Sequence, residues 1–234
     1  MPQWSGFDRW WPVAYLAMGL AGCAAGPGPV VPADAAPVDR QQVATWVSAT
    51  LPAEKRLHRF KWLYQDERSS AGGRGSARIA PPDSLRFDVA GPFGSGAASA
   101  AVIGDHPLWA EPPDAVAKLV PNYPLLWAMF GVARLPEAGD SLTGIAHGNV
   151  TAWRYAGPAD TVSYVRTTGN STKLVTVVRH AGRIVGRAEA TLDSTGAPLA
   201  SKLLVPSVPA KLALTVLSTG RADFAPDIWT ARKP

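Results

Sequence analysis

The sequence predicts a mainly β (α+β) protein in which a single antiparallel sheet of about eleven strands curves into an unclosed half-barrel. Three observations lead to this prediction. Short segments of alternating apolar and polar residues recur between turns made of Gly, Pro, Asp and Asn. Gly and Pro number 22 each, while charged residues make up only 18% of the chain. One short apolar helix interrupts the strands. A sheet of this many strands with few helices can bury one face only if it curves strongly.

Length and charge narrow the classes of function. With 234 residues, 47% of them hydrophobic, the chain has room for one domain with a substantial core. The formal net charge is +5, but the cations are scattered over many strands, so we expect no nucleic-acid partner. A mildly basic surface suits contact with anionic lipid.

The N-terminus carries the pattern of a bacterial lipoprotein leader. An apolar run over residues 12–22 has signal-peptide length and ends in Leu20-Ala21-Gly22-Cys23, which matches the lipobox. We therefore predict a signal peptide over residues 1–22 and lipidation of Cys23, which becomes the mature N-terminus. The alternative is that Cys23 belongs to an uncleaved anchor. Ala24 follows instead of Asp, which favours an outer-membrane anchor and a domain that faces the periplasm.

A tether and a helix are expected to precede the first strand. Residues 23–38 are rich in Ala, Gly, Pro and Val without a pattern, which predicts a flexible tether. Asp39 suits the N-cap of a helix over residues 40–50. The half-barrel domain is expected to cover residues 39–230, with a short tail at 231–234. The apolar residues at helical spacing are Val43, Trp46, Val47 and Leu51.

Strands are expected to dominate up to the central helix. The cleanest alternation places Leu85, Phe87 and Val89 on one side of a strand. Glycine-rich segments at residues 72–75 and 91–96 are predicted to be turns. A strand of small residues at 97–103 suits a wall against which something bulky lies. The strands are predicted at residues 56–68, 76–80, 84–89, 97–103 and 107–111.

Residues 119–136 form the most apolar internal segment and are predicted to hold a short buried helix. Pro124 suits a first helical turn, and Gly131 and Pro136 supply the stop. The apolar run at 125–132 is far shorter than the roughly 20 residues of a transmembrane helix, so we expect it to lie against protein. It is either a core helix that plugs one side of the sheet or a lid over an apolar cavity. The lid or plug region is expected over about residues 114–133.

The strands resume after the helix as an antiparallel meander. In the strand at 183–192 the alternation places Ile184, Ala188, Ala190 and Leu192 inward. The strands are predicted at residues 141–148, 151–156, 161–167, 174–180, 183–192, 199–205 and 211–217.

Patterns typical of catalysis are sparse. The four histidines lie in separate segments, and no His-Glu-x-x-His, Cys pair or carboxylate cluster has the spacing of metal ligands. Gly94-Ser95-Gly96 lacks the outer glycine of a nucleophile elbow. The sequence therefore predicts no enzyme, no metal site and no cofactor.

Two stretches resemble a known family. Residues 82–96, Pro-Asp-Ser-Leu-Arg-Phe-Asp-Val-Ala-Gly-Pro-Phe-Gly-Ser-Gly, are similar to a strand, Pro-Leu-Gly turn and strand of the LolA/LolB lipoprotein-sorting superfamily. The apolar residues 125–132, Leu-Leu-Trp-Ala-Met-Phe-Gly-Val, stand in the place of its lid. The resemblance covers roughly residues 40–230. Because Cys23 is expected to carry lipid, the chain looks more like the outer-membrane receptor LolB than the soluble carrier LolA.

The resemblance implies an unclosed β-barrel with helices over its mouth and an apolar interior that accepts acyl chains of lipids or lipoproteins. Phe93 stands where the receptor presents an exposed leucine, so Phe93 is expected either to contact the membrane or to pack on the barrel rim. The side chains expected to line the cavity are Leu85, Phe87, Val89, Leu126, Trp127, Phe130, Ile184 and Leu192.

Two other functions stay open. One is a structural or assembly lipoprotein that holds another envelope protein and fills the half-barrel with its own side chains. The other is a carrier of a different lipid. Trp and Phe in the interior would favour the first, and an empty apolar cavity would favour lipid binding. In each case we expect a monomer that its N-terminal lipid holds at the membrane.

Overall fold

The computed structural model describes residues 31–32, 34–91, 96–113 and 120–230. In chain order its elements are α1 (Arg40–Ser48), β1 (Arg56–Gln65), β2 (Ser70–Ala80), β3 (Ser84–Ala90), β4 (Ala98–Ile103), β5 (His106–Glu111), α2 (Tyr123–Ala128), β6 (Ser141–His147), β7 (Val150–Ala156), β8 (Asp160–Thr167), β9 (Thr172–His180), β10 (Arg183–Leu192), β11 (Pro198–Val205), β12 (Ala210–Arg221) and a 3-10 helix (Pro226–Trp229).

One 12-stranded antiparallel sheet has the order β5-β4-β3-β2-β1-β12-β11-β10-β9-β8-β7-β6. It follows chain order except where β1 pairs with β12, which joins the two halves and places Phe60 opposite Val216. The order ends in β5 on one side and in β6 on the other, so the sheet is unclosed. The predicted fold class, a single unclosed antiparallel sheet, is confirmed, with twelve strands against about eleven expected.

The turn predicted at residues 72–75 is wrong, because those residues lie inside β2. The chain reverses between β1 and β2 at residues 66–69 instead. There the Asp66 carboxylate accepts hydrogen bonds from the backbone N–H groups of Arg68 (2.8 Å) and Ser69 (2.7 Å). This is the local side-chain bonding that makes Asp a turn residue, and it fixes the β1–β2 register.

The glycines of β2 have a packing role. A Cβ atom on Gly75 would overlap the ring of Phe60 and lie 2.7 Å from the backbone oxygen of Asp88, and one on Gly73 would overlap the backbone of Ala90. Glycine therefore allows a buried ring and a neighbouring strand to approach β2 more closely than any side chain would permit.

The face of the sheet that carries the main core, here called the concave face, is covered by α1 and α2. The Asp39 carboxylate caps α1 as predicted by accepting a hydrogen bond from the Gln41 N–H at 3.3 Å. Val43 and Val47 are buried, and Trp46 packs edge-on against Trp153 at 6.3 Å between ring centroids. α1 thus fills the part of the concave face formed by the second half of the chain.

The described residues between 31 and 38 lie against the sheet. Pro37 bridges Thr143 of β6, and Val31 is only 1% exposed because it packs on Ala152 and Val165 at the outer face. This segment covers backbone at the free β6 edge. The end of the tether predicted from composition is therefore held on the domain.

The C-terminal 3-10 helix lies on the outer face near the opposite edge. The buried Arg86 pairs with Asp88 (2.9 Å) and donates a hydrogen bond to the carbonyl oxygen of Ile228 (2.6 Å). The Trp109 indole donates to the carbonyl oxygen of Trp229 (2.7 Å). Both ends of the described chain are thus fixed to the outside of the sheet, which leaves the concave face to α1 and α2.

Candidate functional site

α2 is a buried plug that is shorter than the predicted apolar segment. Pro124 stands in its first turn, and the helix ends at Ala128. Gly131 has a φ of +79° and donates its backbone N–H to the Ala128 carbonyl oxygen at 3.0 Å, which closes the helix end as glycine commonly does. Every residue from 125 to 130 is buried. This burial favours the core plug over the lid.

Polar contacts fix the plug on two sides. The Trp127 indole donates a hydrogen bond to the Gly104 carbonyl oxygen at 2.9 Å. The Arg134 guanidinium stacks on the Trp127 ring, 4.8 Å from its centroid, and its Nε lies 3.4 Å from Asp105 Oδ1, too poorly aligned for a hydrogen bond. The backbone N–H of Arg134 donates a hydrogen bond to the Tyr164 hydroxyl at 3.1 Å. The plug is therefore tied to both halves of the sheet.

Aromatic side chains fill the middle of the concave face. Phe130 lies 6.1 Å from Phe60, 6.2 Å from Phe87 and 6.0 Å from His58 between ring centroids. Phe60 and Phe87 are stacked at 5.5 Å. Rings at these separations attract one another in addition to burying apolar surface. This part of the interior is occupied by the protein's own side chains.

Of the eight side chains predicted to line a cavity, seven are buried and one is not. Ile184 is 43% exposed, so its predicted inward position is wrong. The pairing of β10 with β9 shifts between Ile184 and Gly186, which makes Val185 the extra residue of a bulge. A bulge reverses the alternation on its far side. The buried residues are Leu85, Phe87, Val89, Leu126, Trp127, Phe130 and Leu192.

An apolar cavity, here called the edge recess, lies between β4, β5 and the chain that leads into α2. Its volume is about 320 Å³, at the lower end of the roughly 300–1,000 Å³ typical of ligand pockets. Ala100 and Ala110 pair across β4 and β5, and their small side chains leave room for the recess. Other residues of its wall are Val102, Pro107, Leu108, Val120, Tyr123 and Leu126.

The edge recess lies beside β5, a free edge strand of the half-barrel. Leu108, in its wall, is 50% exposed and is left unpaired where the β4–β5 register shifts. Asn122 Oδ1 is buried in the same wall without a hydrogen-bond partner among the described residues. The partly exposed Leu108 and the apolar wall together leave apolar surface open at this edge of the sheet.

The sequence gives only part of this recess. Leu126 is among the predicted cavity residues, and the small-residue strand at 97–103 predicts a wall for something bulky, which is where Ala100 lies. Leu108 and Tyr123 carry no such signal, because their position depends on how β5 and the α2 approach meet in space. Two further predicted site residues, Cys23 and Phe93, lie outside the described residues.

Tyr123 is the one ionisable side chain among the described residues that line the recess. Within the described ranges, no three His, Cys, Asp or Glu side chains are grouped where they could share a metal ion. None of the helices in the described part of the chain is both long and apolar enough to cross a bilayer. His58 is buried beside Phe130, and burial, with a smaller contribution from Arg56, lowers its pKa to about 4. His58 is therefore neutral at pH 7.

Comparison with known proteins finds similarity in structure only. No family model and no curated protein sequence matches the chain. Among solved structures, a LolA superfamily protein from Nitrosomonas europaea has a TM-score of 0.39 and 8% sequence identity, covering 83% of this chain and 98% of that protein. A putative outer membrane lipoprotein-sorting protein domain from Vibrio parahaemolyticus has a TM-score of 0.37 and 9% identity, covering 82% of this chain and 97% of that domain.

A third neighbour is a MucA/MucB complex from Pseudomonas aeruginosa, with a TM-score of 0.36 and 16% identity over 82% of this chain. The match spans 60% of the length of that chain. Each of these three TM-scores is below 0.5, so these neighbours indicate no function for this chain. These structural neighbours include a LolA superfamily protein and a putative lipoprotein-sorting protein domain.

Proposed function

We propose that this chain is a lipid-anchored, non-enzymatic envelope lipoprotein that binds acyl chains of lipids or lipoproteins and acts in lipoprotein or lipid sorting at the outer membrane. The observation that carries the proposal is the edge recess, an apolar cavity of about 320 Å³ beside a free edge of the half-barrel. Such a recess suits a flexible, apolar ligand that enters at the free edge of the sheet.

The free energy of burying methylene groups supports a short segment of an acyl chain as the ligand. Each buried methylene contributes about 0.8 kcal/mol, so six would contribute roughly 5 kcal/mol before the cost of association is subtracted. The fixed plug supports binding because a preformed cavity lowers that cost. Hydrogen bonds from the Trp127 indole and from the Arg134 backbone N–H hold the plug.

Photo-crosslinking tests where the acyl chain binds. The full-length protein in its own membranes is exposed to a fatty acid that carries a diazirine on its chain, irradiated, digested and mapped by mass spectrometry. We expect adducts in the peptides that contain residues 98–113 and 120–126. Adducts confined to other surfaces, or spread evenly over the chain, would count against the edge recess.

The membrane anchor is the second part of the proposal. The lipobox ending at Cys23 supports lipidation, and the two or three acyl groups of a mature lipoprotein hold a protein stably at a membrane. Mass spectrometry of membrane-extracted protein is expected to find a modified Cys23 as the first residue. After membrane fractionation, we expect the unmodified protein in the outer-membrane fraction and the Cys23→Ser variant to be absent from it. An intact Met1, or unchanged membrane retention of Cys23→Ser, would contradict lipidation.

A second function is an assembly lipoprotein that uses the same half-barrel to hold another envelope protein. The observation that favours it is the interior filled by Phe60, Phe87 and Phe130. A photoreactive amino acid at Leu108 separates the two functions, because Leu108 is exposed in the wall of the recess. Lipid adducts support acyl binding, and a single protein adduct of defined mass supports assembly.

A further inference from the structure

A second cavity of about 330 Å³ lies where α1 ends against the concave face, and it shares no described lining residue with the edge recess. Its walls come from the loop after α1, the start of β1, the residues that follow α2 and the turn between β10 and β11. Arg166 of β8 completes the wall. This cavity differs from the edge recess because cationic side chains line it.

Arg166 faces the interior of the half-barrel. Its cross-strand partners are Thr151 of β7 and the fully buried Leu174 of β9. Its Nε is buried without a hydrogen-bond partner, and the guanidinium forms no ion pair, among the described residues. Desolvation lowers the pKa of Arg166. A guanidinium in such a place is stabilised by an anion.

Asp193, one of the two carboxylates that directly neighbour lining residues in the sequence, is already engaged. Asp193 accepts hydrogen bonds from the backbone N–H groups of Thr195 (2.8 Å) and Ala197 (3.0 Å) and from the Thr195 hydroxyl (2.7 Å). These bonds hold the carboxylate within its own turn. No acidic side chain is found among the described residues that line the cavity.

Arg56, which lines the cavity, and the side chains paired with it carry a net positive charge. Arg56 pairs with Glu54 at 3.0 Å, and Arg221 pairs with the same carboxylate at 3.0 Å. Two guanidinium groups thus share one carboxylate. His58, in the wall, adds no charge at pH 7 because its pKa is low. The cavity and its rim therefore favour an anion over a neutral or cationic ligand.

The floor of the cavity is apolar and consists of the buried Ile79, Phe130, Val132 and Leu192. A guanidinium beside an apolar floor matches a carboxylate or phosphate that is carried on an apolar chain. We propose that this cavity, the Arg166 pocket, binds the anionic head of a single-chain amphiphile, with Arg166 paired to the head and the first part of the chain on the floor. This site is independent of acyl binding in the edge recess.

Three soluble probes test the head group: octanoate, octyl phosphate and octanol. Each is dialysed to equilibrium against the full-length protein in detergent micelles, and the uptake by protein-free micelles is subtracted. We expect at least tenfold tighter binding of one or both anions than of octanol, because only the anions pair with the guanidinium. The tighter anion identifies the head group. Equal binding of octanol, or no binding of either anion, overturns the proposal.

Three variants test the location with the tighter anion. Arg166→Met removes the charge at similar side-chain length and is expected to bind at least tenfold more weakly without a lower melting temperature. Ala53→Trp fills the exposed rim while Arg166 remains, and it is also expected to weaken binding. Ala110→Trp fills the edge recess and is expected to bind the anion as tightly as the unmodified protein does. Loss of anion binding at the Arg166 pocket is therefore distinguishable from loss of acyl binding in the edge recess.

Either of the first two variants can overturn the location. Unchanged anion binding by a folded Arg166→Met protein contradicts the pairing. If Arg166→Met does not fold, Ala53→Trp decides alone, and unchanged binding by that variant contradicts the proposal. Loss of anion binding in Ala110→Trp would also contradict it, because the anion would then occupy the edge recess.

Discussion

The indole N–H of Trp127 lies 2.9 Å from the carbonyl oxygen of Gly104, so one hydrogen bond ties the buried helix α2 to the turn between β4 and β5. Trp127 is 0% exposed. The edge recess lies between α2 and β4, with Leu126 on one side and Ala100 on the other. The shape of the recess therefore depends on a fixed distance between α2 and β4.

Trp127→Phe removes this hydrogen bond and leaves the partly buried Gly104 carbonyl oxygen without its partner. We expect the free energy of unfolding to fall by about 1–3 kcal/mol, measured by urea denaturation. Trp229→Phe is the control, because the Trp229 side chain is only partly buried and its indole donates no hydrogen bond among the described residues. An equal loss in both variants would contradict the role of the Trp127 bond.

Gly75→Ala tests why the glycines of β2 lie inside a strand. The added methyl group would overlap the Phe60 ring and lie 2.7 Å from the Asp88 backbone oxygen, so we expect a loss of about 1–3 kcal/mol in the free energy of unfolding. Gly220→Ala is the matched control, since a Cβ there meets nothing within 4 Å. If Gly75→Ala is as stable as Gly220→Ala, the packing role is wrong.

His58 predicts a specific dependence of stability on pH. Its pKa is about 4 in the folded protein, lowered mainly by burial, against 6.5 for the free side chain. The unfolded chain therefore binds the proton first as pH falls, and stability drops between pH 6.5 and about 4, by roughly 3 kcal/mol in total. His58→Gln is expected to flatten this part of a plot of unfolding free energy against pH. The three other histidines are unchanged in this variant, so the difference between the two plots reports on His58. An unchanged slope would show that His58 is not the group responsible.

Phe93 stays a prediction about the membrane, because it lies outside the described residues. We expect Phe93→Glu to keep near-normal thermal stability and acyl binding but to lose transfer of acyl cargo to liposomes, since a charge does not enter the bilayer. Phe93→Leu, which stays apolar, is expected to retain transfer. A melting temperature lowered by several degrees with transfer intact would indicate that Phe93 packs on the barrel instead.

The sheet could be predicted from the sequence because its signals are local. The alternation of Leu85, Phe87 and Val89 places them on one side of their strand, as the structure also does, and Asp39 caps α1 as predicted. These features depend on neighbours a few residues away.

The errors arise where distant residues decide. The glycines at 72–75 have the composition of a turn, but the Phe60 ring and the β3 backbone require them inside a strand. Ile184 follows the alternation of its strand, but a bulge at Val185 moves it to the surface. The sequence does not indicate that the Arg166 Nε lies buried without a hydrogen-bond partner among the described residues, because this depends on how distant residues pack in the interior.

Filling the edge recess tests whether it is the acyl site. Ala110→Trp places a large ring in the recess from the edge strand β5, and Ala200→Trp makes the same substitution at an exposed position of β11. Both proteins are first compared by thermal denaturation, and the yield of diazirine fatty-acid adduct is then measured by mass spectrometry. We expect Ala110→Trp to lower the yield at least tenfold and Ala200→Trp to leave it unchanged. An unchanged yield in folded Ala110→Trp would contradict acyl binding in the edge recess.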